Sequence, residues 1–314
     1  MKILVAEDDV ISCKALQNKL QDWGYDVLTA HNGEDAWTLF MTEDIRLAIL
    51  DWKMPKMEGT ELCKKIRQEY EEIKSRYVYV IMLTAKNLKA DRIKGLSCGI
   101  DDYMTKPVSF VELKIRLKNG ERIIQLEDNR IHLASLDGLT KLWNRNKILE
   151  FLEEELDRGR RCGQPTGIIM VDIDYFKQIN DTYGHFTGDK VLAEVADRLK
   201  REIRRYDKIG RYGGDEMFFV LPNCRQAHLQ KIANRLRCCI CNKAIPTKSG
   251  PLKVSISLGA ISSEISSKAP SSDLIQASDR ALYAAKKLGR NRLVISSTIS
   301  KFCPFPLTQR EKPA

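Results

Sequence analysis

Carboxylates dominate the residues that could do chemistry in this 314-residue chain. The apolar run Ile168-Ile169-Met170-Val171 ends in Asp172-Ile173-Asp174. A second acidic pair, Asp215-Glu216, follows Gly213-Gly214 and precedes the apolar run Met217 to Leu221. Asp172 and Asp174 sit two residues apart, on one side of a strand if it continues through both. A Gly-Gly-Asp turn between strand-like runs reads as a β-hairpin. If that hairpin lies beside the strand ending at Asp172, three or four carboxylates converge. Such a cluster needs metal, and the glycines leave room for a phosphate to reach the backbone. Lys286 and Arg290, four residues apart on one helix face, could clamp a triphosphate. Taken separately, these are ordinary surface charges and an ordinary turn.

A second constellation lies in the first third of the chain. Glu7-Asp8-Asp9, Asp51 and Thr84 follow the apolar runs Ile3–Ala6, Leu47–Leu50 and Val78–Leu83, and Lys106 precedes Pro107 after a further strand-like stretch. Carboxylates gathered on one rim repel one another unless a hard divalent cation with oxygen ligands, such as magnesium, neutralises them. Magnesium beside a free carboxylate, with a hydroxyl and a lysine nearby, can handle a phosphoryl group. Each residue alone reads better as a solvated cap or turn.

The elements that must position these groups follow from the pattern. Continuous apolar strands between amphipathic stretches predict a parallel sheet covered on both faces, with ligands gathered at the carboxyl ends of its strands. After Pro107 the pattern turns helical. Leu113, Leu117, Ile124 and Ile131 are spaced by 4, 7 and 7 residues, a coiled-coil seam in which Gly120 and Glu127 occupy positions that favour apolar side chains. Ile123, Leu126 and Leu133 form a competing stripe. The alternative is one long helix packed on its own domain.

Residues 1–118 resemble the response-regulator receiver family, through Val5-Ala6-Glu7-Asp8-Asp9, Leu50-Asp51-Trp52-Lys53-Met54-Pro55, Leu83-Thr84-Ala85 and Tyr103-Met104-Thr105-Lys106-Pro107. The resemblance implies a flavodoxin-like α/β fold in which Asp51 accepts phosphate from a cognate histidine kinase. It further implies one magnesium held by Glu7, Asp8, Asp51 and the Lys53 carbonyl, phosphoryl contacts from Thr84 and Lys106, and Tyr103 as the switch aromatic.

Residues 137–297 resemble the GGDEF diguanylate cyclase family. The matching words are Asp137-Gly138-Leu139-Thr140, the Asp172 to Asp189 segment, Gly213-Gly214-Asp215-Glu216, Ser257-Leu258-Gly259-Ala260, Asp279-Arg280-Ala281-Leu282-Tyr283 and Gly289-Arg290-Asn291. Met217 departs from the signature, which ends in Phe. The resemblance implies an α/β domain of the palm and nucleotidyl-cyclase type, joined to the receiver by a helical linker at 119–136. Two magnesium ions per cyclase half-site would be held by Asp172, the Ile173 carbonyl, Asp215 and Glu216, with Asp215, Glu216 and Lys177 in catalytic roles. Lys177, Lys286 and Arg290 would contact phosphates, Asn180 and Asp189 would read guanine, and His185 would lie near the substrate. Arg204-Arg205-Tyr206-Asp207 resembles the family's inhibitory product site, to which Arg235 would add a second arginine. Arginine can fork onto guanine N7 and O6, and an acid can accept from N1 and N2.

The function implied is a phosphorylation-activated homodimer that converts two GTP into cyclic di-GMP and two pyrophosphates, with product feedback. Its rival is a catalytically inactive response regulator that binds cyclic di-GMP. Charge separates the two halves. Residues 1–118 carry 19 basic and 19 acidic residues, so the whole formal excess of +10 falls in residues 119–314 and suits an anionic ligand. No helix-turn-helix segment or basic-aromatic stripe supports DNA binding. Nine cysteines with a single C-x-x-C spacing, Cys238 to Cys241, predict reduced thiols. The opening lacks a secretory pattern and no run approaches a bilayer span, so a cytoplasmic protein without membrane partners is expected. Residues 298–314, with Pro304, Pro306 and Pro313, read as a loose tail.

Overall fold

The computed structural model describes residues 1–70, 76–85, 98–248 and 250–299. The chain divides into two compact units, Met1–Leu133 and Ala134–Ala314. From residue 300 onward the expected tail, with Cys303, lies outside the described residues.

In the first unit, strands β1 (Lys2–Ala6), β2 (Asp26–Ala30), β3 (Leu47–Asp51), β4 (Tyr79–Thr84) and β5 (Asp102–Thr105) form one parallel sheet in the order β2-β1-β3-β4-β5. This is the flavodoxin-like doubly wound order, whose switch point lies between β1 and β3. The Leu47–Asp51 strand is buried throughout, as expected of a parallel strand covered on both faces. Helices α1 (Val10–Asp22), α2 (Gly33–Thr42) and α3 (Gly59–Lys65) alternate with the strands. Asp9 caps α1, accepting the Ser12 amide at 2.8 Å.

Helix α4 runs unbroken from Phe110 to Ala134. Its Leu113, Leu117 and Ile124 are buried with Tyr79, Leu83 and Leu20 in the unit's own core. Each such side chain, removed from water, contributes about 1.5–3 kcal/mol. Gly120 belongs to the same face, and a Cβ there would lie 2.5 Å from the Tyr79 ring. The glycine that looked like a gap in a seam is therefore a close-approach site, and Leu117 and Ile124 are core residues. Tyr25 donates to Glu121 at 2.9 Å and Arg46 pairs with Asp128 at 2.7 Å, fixing the helix further along. Leu126 and Leu133 of the competing stripe are exposed.

The second unit begins with α5 (Arg145–Cys162) and contains a mixed sheet built from β6 (Gly167–Ile173), β7 (Lys208–Gly213), β8 (Glu216–Leu221), β11 (Ile256–Ser262) and β12 (Leu293–Ile295). Its order is β12-β11-β6-β8-β7, antiparallel except for the β11–β12 pair. Helices α6 (Phe176–Tyr183), α7 (His185–Arg201), α8 (Gln226–Cys241) and α9 (Ser271–Lys287) complete it, with a small hairpin of β9 (Ile245–Thr247) and β10 (Gly250–Leu252). Two apolar clusters flank the sheet, one holding Ile169, Val171, Phe219 and Leu258 and the other Ile168, Met170, Phe218 and Val220. That alternation is the period-2 pattern of a sheet buried on both sides. Met217 is fully buried opposite Val171, so a bulky apolar side chain fills the position where the family signature has Phe.

Candidate active and phosphoacceptor sites

At the carboxyl ends of β1 and β3, carboxylate oxygens of Glu7, Asp8 and Asp51 lie within 4.8 Å of one another. Lys106, one residue beyond β5, places Nζ 2.7 Å from Glu7 and 2.8 Å from Asp51 Oδ2. Its ammonium approaches both Glu7 oxygens but hydrogen-bonds only Oε1, so the buried Oε2 has no hydrogen-bond partner. Burial raises the pKa of Glu7, opposed by the hydrogen bond from Lys106. Burial works against the charge of Lys106, yet hydrogen bonds to Asp51 and Glu7 outweigh it and its pKa is raised. Three converging oxygen donors, one with an orphaned buried atom, fit a hard divalent cation. Thr84 ends β4 half-buried, with its hydroxyl donating to the Ala85 carbonyl. Tyr103 packs partly buried against the core, and Lys53 is exposed on the loop after Asp51.

In the second unit, Asp172, the penultimate residue of the buried strand β6, lies directly opposite Glu216 of β8. Gly213 closes β7, and the tight turn through Gly214, at φ +37°, puts Asp215 immediately before β8. Asp172 is raised to about 7, first by burial and then by Asp215, with Lys286 opposing. Burial also raises Asp215, against the charges of Lys286 and Arg211. Lys286, in the last turn of α9, holds Nζ 2.6 Å from Asp172 Oδ2. It thus partners the carboxylate that a metal would otherwise neutralise. Hard oxygen donors whose ionisation is strained by burial and mutual repulsion fit magnesium.

Asp174 departs from the expected alternation. The strand stops at Ile173, and Asp174 turns into the interior, where it accepts from the Ser255 and Ser257 hydroxyls at 2.6 Å and the Asn291 amide at 2.9 Å. Four hydrogen-bonded groups, counting its own amide on the Ser255 carbonyl, make it a structural clasp. Its acceptors are satisfied by the chain, so it does not join the carboxylate rim.

The remaining expected residues occupy α6, α7 and the loop after α9. Asn180 is half-buried, and a Cβ on Gly188 would come within 1.7 Å of its Oδ1. Gly188 therefore makes room for the Asn180 carboxamide next to Asp189 in the chain. Lys177, His185 and Asp189 are exposed. Arg290, itself at φ +59°, stacks on the Tyr175 ring at 4.5 Å.

Arg204 and Asp207 form a local turn of a particular kind. Asp207 is buried, accepts the Arg204 amide at 3.0 Å and is raised by burial, while the Arg204 guanidinium hydrogen-bonds Tyr206 at 2.8 Å. Arg235 donates to the Glu202 carbonyl at 2.7 Å and pairs with its carboxylate at 3.4 Å.

Two positioning residues escaped the sequence reading. Arg211 donates from Nε to the Gly214 carbonyl at 2.9 Å and pairs through Nη1 with Asp137 at 3.1 Å. Asp137 in turn accepts the Thr140 amide and hydroxyl, both at 2.8 Å. A basic residue two positions before a Gly-Gly turn was the available signal.

Residues 134–292 match the family described as diguanylate cyclase, GGDEF domain, and residues 3–118 match the response regulator receiver domain. The response regulator PleD of Caulobacter vibrioides is 30% identical over 259 residues, covering 80% of this chain and 56% of the relative. Diguanylate cyclase DgcP of Pseudomonas aeruginosa is 37% identical over 247 residues, covering 74% of this chain and 36% of the relative. The chain thus spans about half the length of the first of these relatives and less of the second. Among solved structures, the coiled coil and GGDEF domain of DgcB from Caulobacter crescentus, in complex with c-di-GMP, matches at TM-score 0.54 and 26% identity, covering 59% of this chain and 97% of that one. The second unit matches the GGDEF domain and the first the receiver domain, so the chain belongs to the GGDEF diguanylate cyclase family, as a receiver domain followed by a GGDEF domain.

Proposed function

We propose that the chain is a phosphorylation-activated diguanylate cyclase that converts two GTP into cyclic di-GMP and two pyrophosphates. The observation that carries this reading is the pairing of Asp172 with Glu216 at the strand end where the Gly213-Gly214-Asp215 turn lies and Lys286 meets Asp172. Asp172, the Ile173 carbonyl, Asp215 and Glu216 would hold two magnesium ions in each half-site, and Glu7, Asp8, Asp51 and the Lys53 carbonyl one in the receiver. When bound, magnesium supplies charge neutralisation at the triphosphate and a lowered pKa at the attacking 3′-hydroxyl.

The chain's own residues supply binding and orientation. Lys177, Lys286 and Arg290 bind phosphate oxygens, Lys286 exchanging its Asp172 partner for the nucleotide. Asn180 and Asp189 present an amide and an acceptor to the guanine edge, and His185 borders the substrate. The second unit of each chain binds one GTP, so in-line attack needs two half-sites face to face, and the working enzyme is a homodimer. Arg204, Asp207 and Arg235 form a product-binding site that limits output. Asp51 receives phosphate from a cognate histidine kinase, with Thr84, Lys106 and Tyr103 reading its arrival.

The test is incubation of purified protein with GTP and magnesium, with and without a phosphoryl donor, and identification of the product. Cyclic di-GMP from wild type and none from a folded Asp215→Ala variant is the expected result. Equal turnover by that variant would overturn the assignment of the carboxylate rim.

A further inference from the structure

On the side of the second unit formed by α8 and β12, a concave surface of about 480 Å³ is lined by Gln230, Asn234 and Arg237 from the helix and by Asn291, Arg292 and Leu293. Two guanidiniums therefore share one small hollow. Among the described residues neither has a carboxylate within 4.0 Å. Arg237 instead reaches neutral groups, donating to Asn291 Oδ1 at 3.1 Å and lying 3.6 Å from Cys238 Sγ and 3.8 Å from Cys241 Sγ. Arg292 donates from Nε to the Arg290 carbonyl at 3.0 Å.

We propose that this hollow is a binding site for a small phosphate monoester, held by Arg237 and Arg292 with the carboxamides of Gln230, Asn234 and Asn291. Planar guanidinium forks match phosphate oxygens, and two of them with no carboxylate within 4.0 Å among the described residues favour a dianion. The volume is that of a small-molecule pocket and exceeds what a bare phosphate fills. The three carboxamides offer donors and acceptors to hydroxyls on the organic part, and Leu293 offers it an apolar flank.

The site is linked to the loop that carries Arg290. The Asn291 amide is tied to buried Asp174, its side chain to Arg237, and the Arg290 carbonyl to Arg292. A ligand that draws Arg237 and Arg292 together acts on both anchors of Arg290, whose neighbouring backbone is already left-handed at Arg290 and Asn291. The effect on turnover rests on the cyclase reading. Binding itself does not.

The experiment is calorimetric titration of the full chain with ribose 5-phosphate, magnesium being removed by chelator, alongside inorganic phosphate. Saturable binding to wild type is expected, with at least about ten-fold weakening in Arg237→Gln and in Arg292→Gln and little change in Arg290→Gln. Absence of saturable binding overturns the site. So does unchanged affinity in both variants when they melt like wild type, or loss confined to Arg290→Gln. Equal affinity for inorganic phosphate overturns the monoester. With GTP and magnesium, ribose 5-phosphate should shift KM for GTP in wild type and not in Arg237→Gln. Binding that persists in a chain that makes no cyclic di-GMP overturns the cyclase reading and leaves the site standing.

Discussion

Arg211 and Asp137 form an ion pair at 3.1 Å that reaches the signature turn, because the same guanidinium donates to the Gly214 carbonyl. Asp137 lies 74 residues earlier in the chain, so the turn's placement depends on a contact between distant segments. Desolvation works against the charge of Asp137, but the Thr140 and Arg211 hydrogen bonds win and its pKa is lowered. Arg211→Gln removes the charge and keeps much of the length. Hydrogen bonds to charged groups contribute roughly 1.5–3 kcal/mol, so kcat should fall about ten-fold or more while the melting temperature drops only modestly. Steady-state turnover with a parallel thermal melt checks it. A normal kcat would mean that the turn holds itself.

Gly188→Ala probes the nucleobase side. The added methyl would meet Asn180 Oδ1 at 1.7 Å, and because that atom ends a short side chain the carboxamide swings away while the helix stays. KM for GTP should rise by about ten-fold, the loss expected for one hydrogen-bonded contact to the base, with kcat less affected. Initial rates over a range of GTP concentrations separate the two. A change in kcat alone would detach Asn180 from recognition of the base.

Strand-end chemistry was legible in the sequence because an apolar run followed by an acid marks both the strand and its terminus. Asp51 and Asp172 were found that way. The place of Asp174 hung on where the strand stops, which alternation does not say, and its two serine partners lie in β11 and just before it. Gly120 was misjudged because a 7-residue repeat does not say which surface the face meets. Arg211 and Gly188 act through contacts that only the tertiary fold creates.

Gly120→Ala decides between the helix as core element and as open seam. A methyl placed 2.5 Å from the Tyr79 ring overpacks the receiver, at a cost of about 1–3 kcal/mol. An open coiled-coil seam would instead gain from the added apolar group and from better helix propensity. Urea unfolding should show a lower midpoint with an unchanged slope. A higher midpoint would restore the seam at this position.

Thiol reactivity gives a pH signature. Burial pushes Cys224 and Cys239 each up to about 11, whereas Cys162 is exposed. The thiolate is the reactive form, and a thiol with a pKa of about 11 is ionised to roughly one part in a thousand at pH 8. Alkylation at pH 8 followed by peptide mapping should label Cys162 well before Cys224 and Cys239. Raising the pH toward 11 should narrow the gap. Equal labelling at pH 8 would show that the α8 core opens readily.

Phosphorylation of Asp51 should activate the cyclase, and Lys106 indicates how the receiver senses it. Without a phosphoryl group its ammonium is shared between Glu7 and Asp51. A phosphoryl group on Asp51 offers new oxygens to Lys106 and to the Thr84 hydroxyl, which in this structure is turned to the Ala85 carbonyl. Drawing Thr84 inward opens space for half-buried Tyr103 to follow. Such a group shifts an equilibrium only by its differential stabilisation of one arrangement, so a gain of about 10–100-fold needs about 1.4–2.7 kcal/mol. A few charge-assisted contacts of roughly 1.5–3 kcal/mol each are sufficient. Because each subunit binds one GTP in the proposed reaction, the active arrangement is one that brings two half-sites together. Beryllofluoride, a phosphoryl mimic, should therefore raise both turnover and the dimer fraction of wild type and leave Asp51→Asn unchanged, read by product formation and sedimentation. If the mimic binds wild type and alters neither, Asp51 does not control the cyclase.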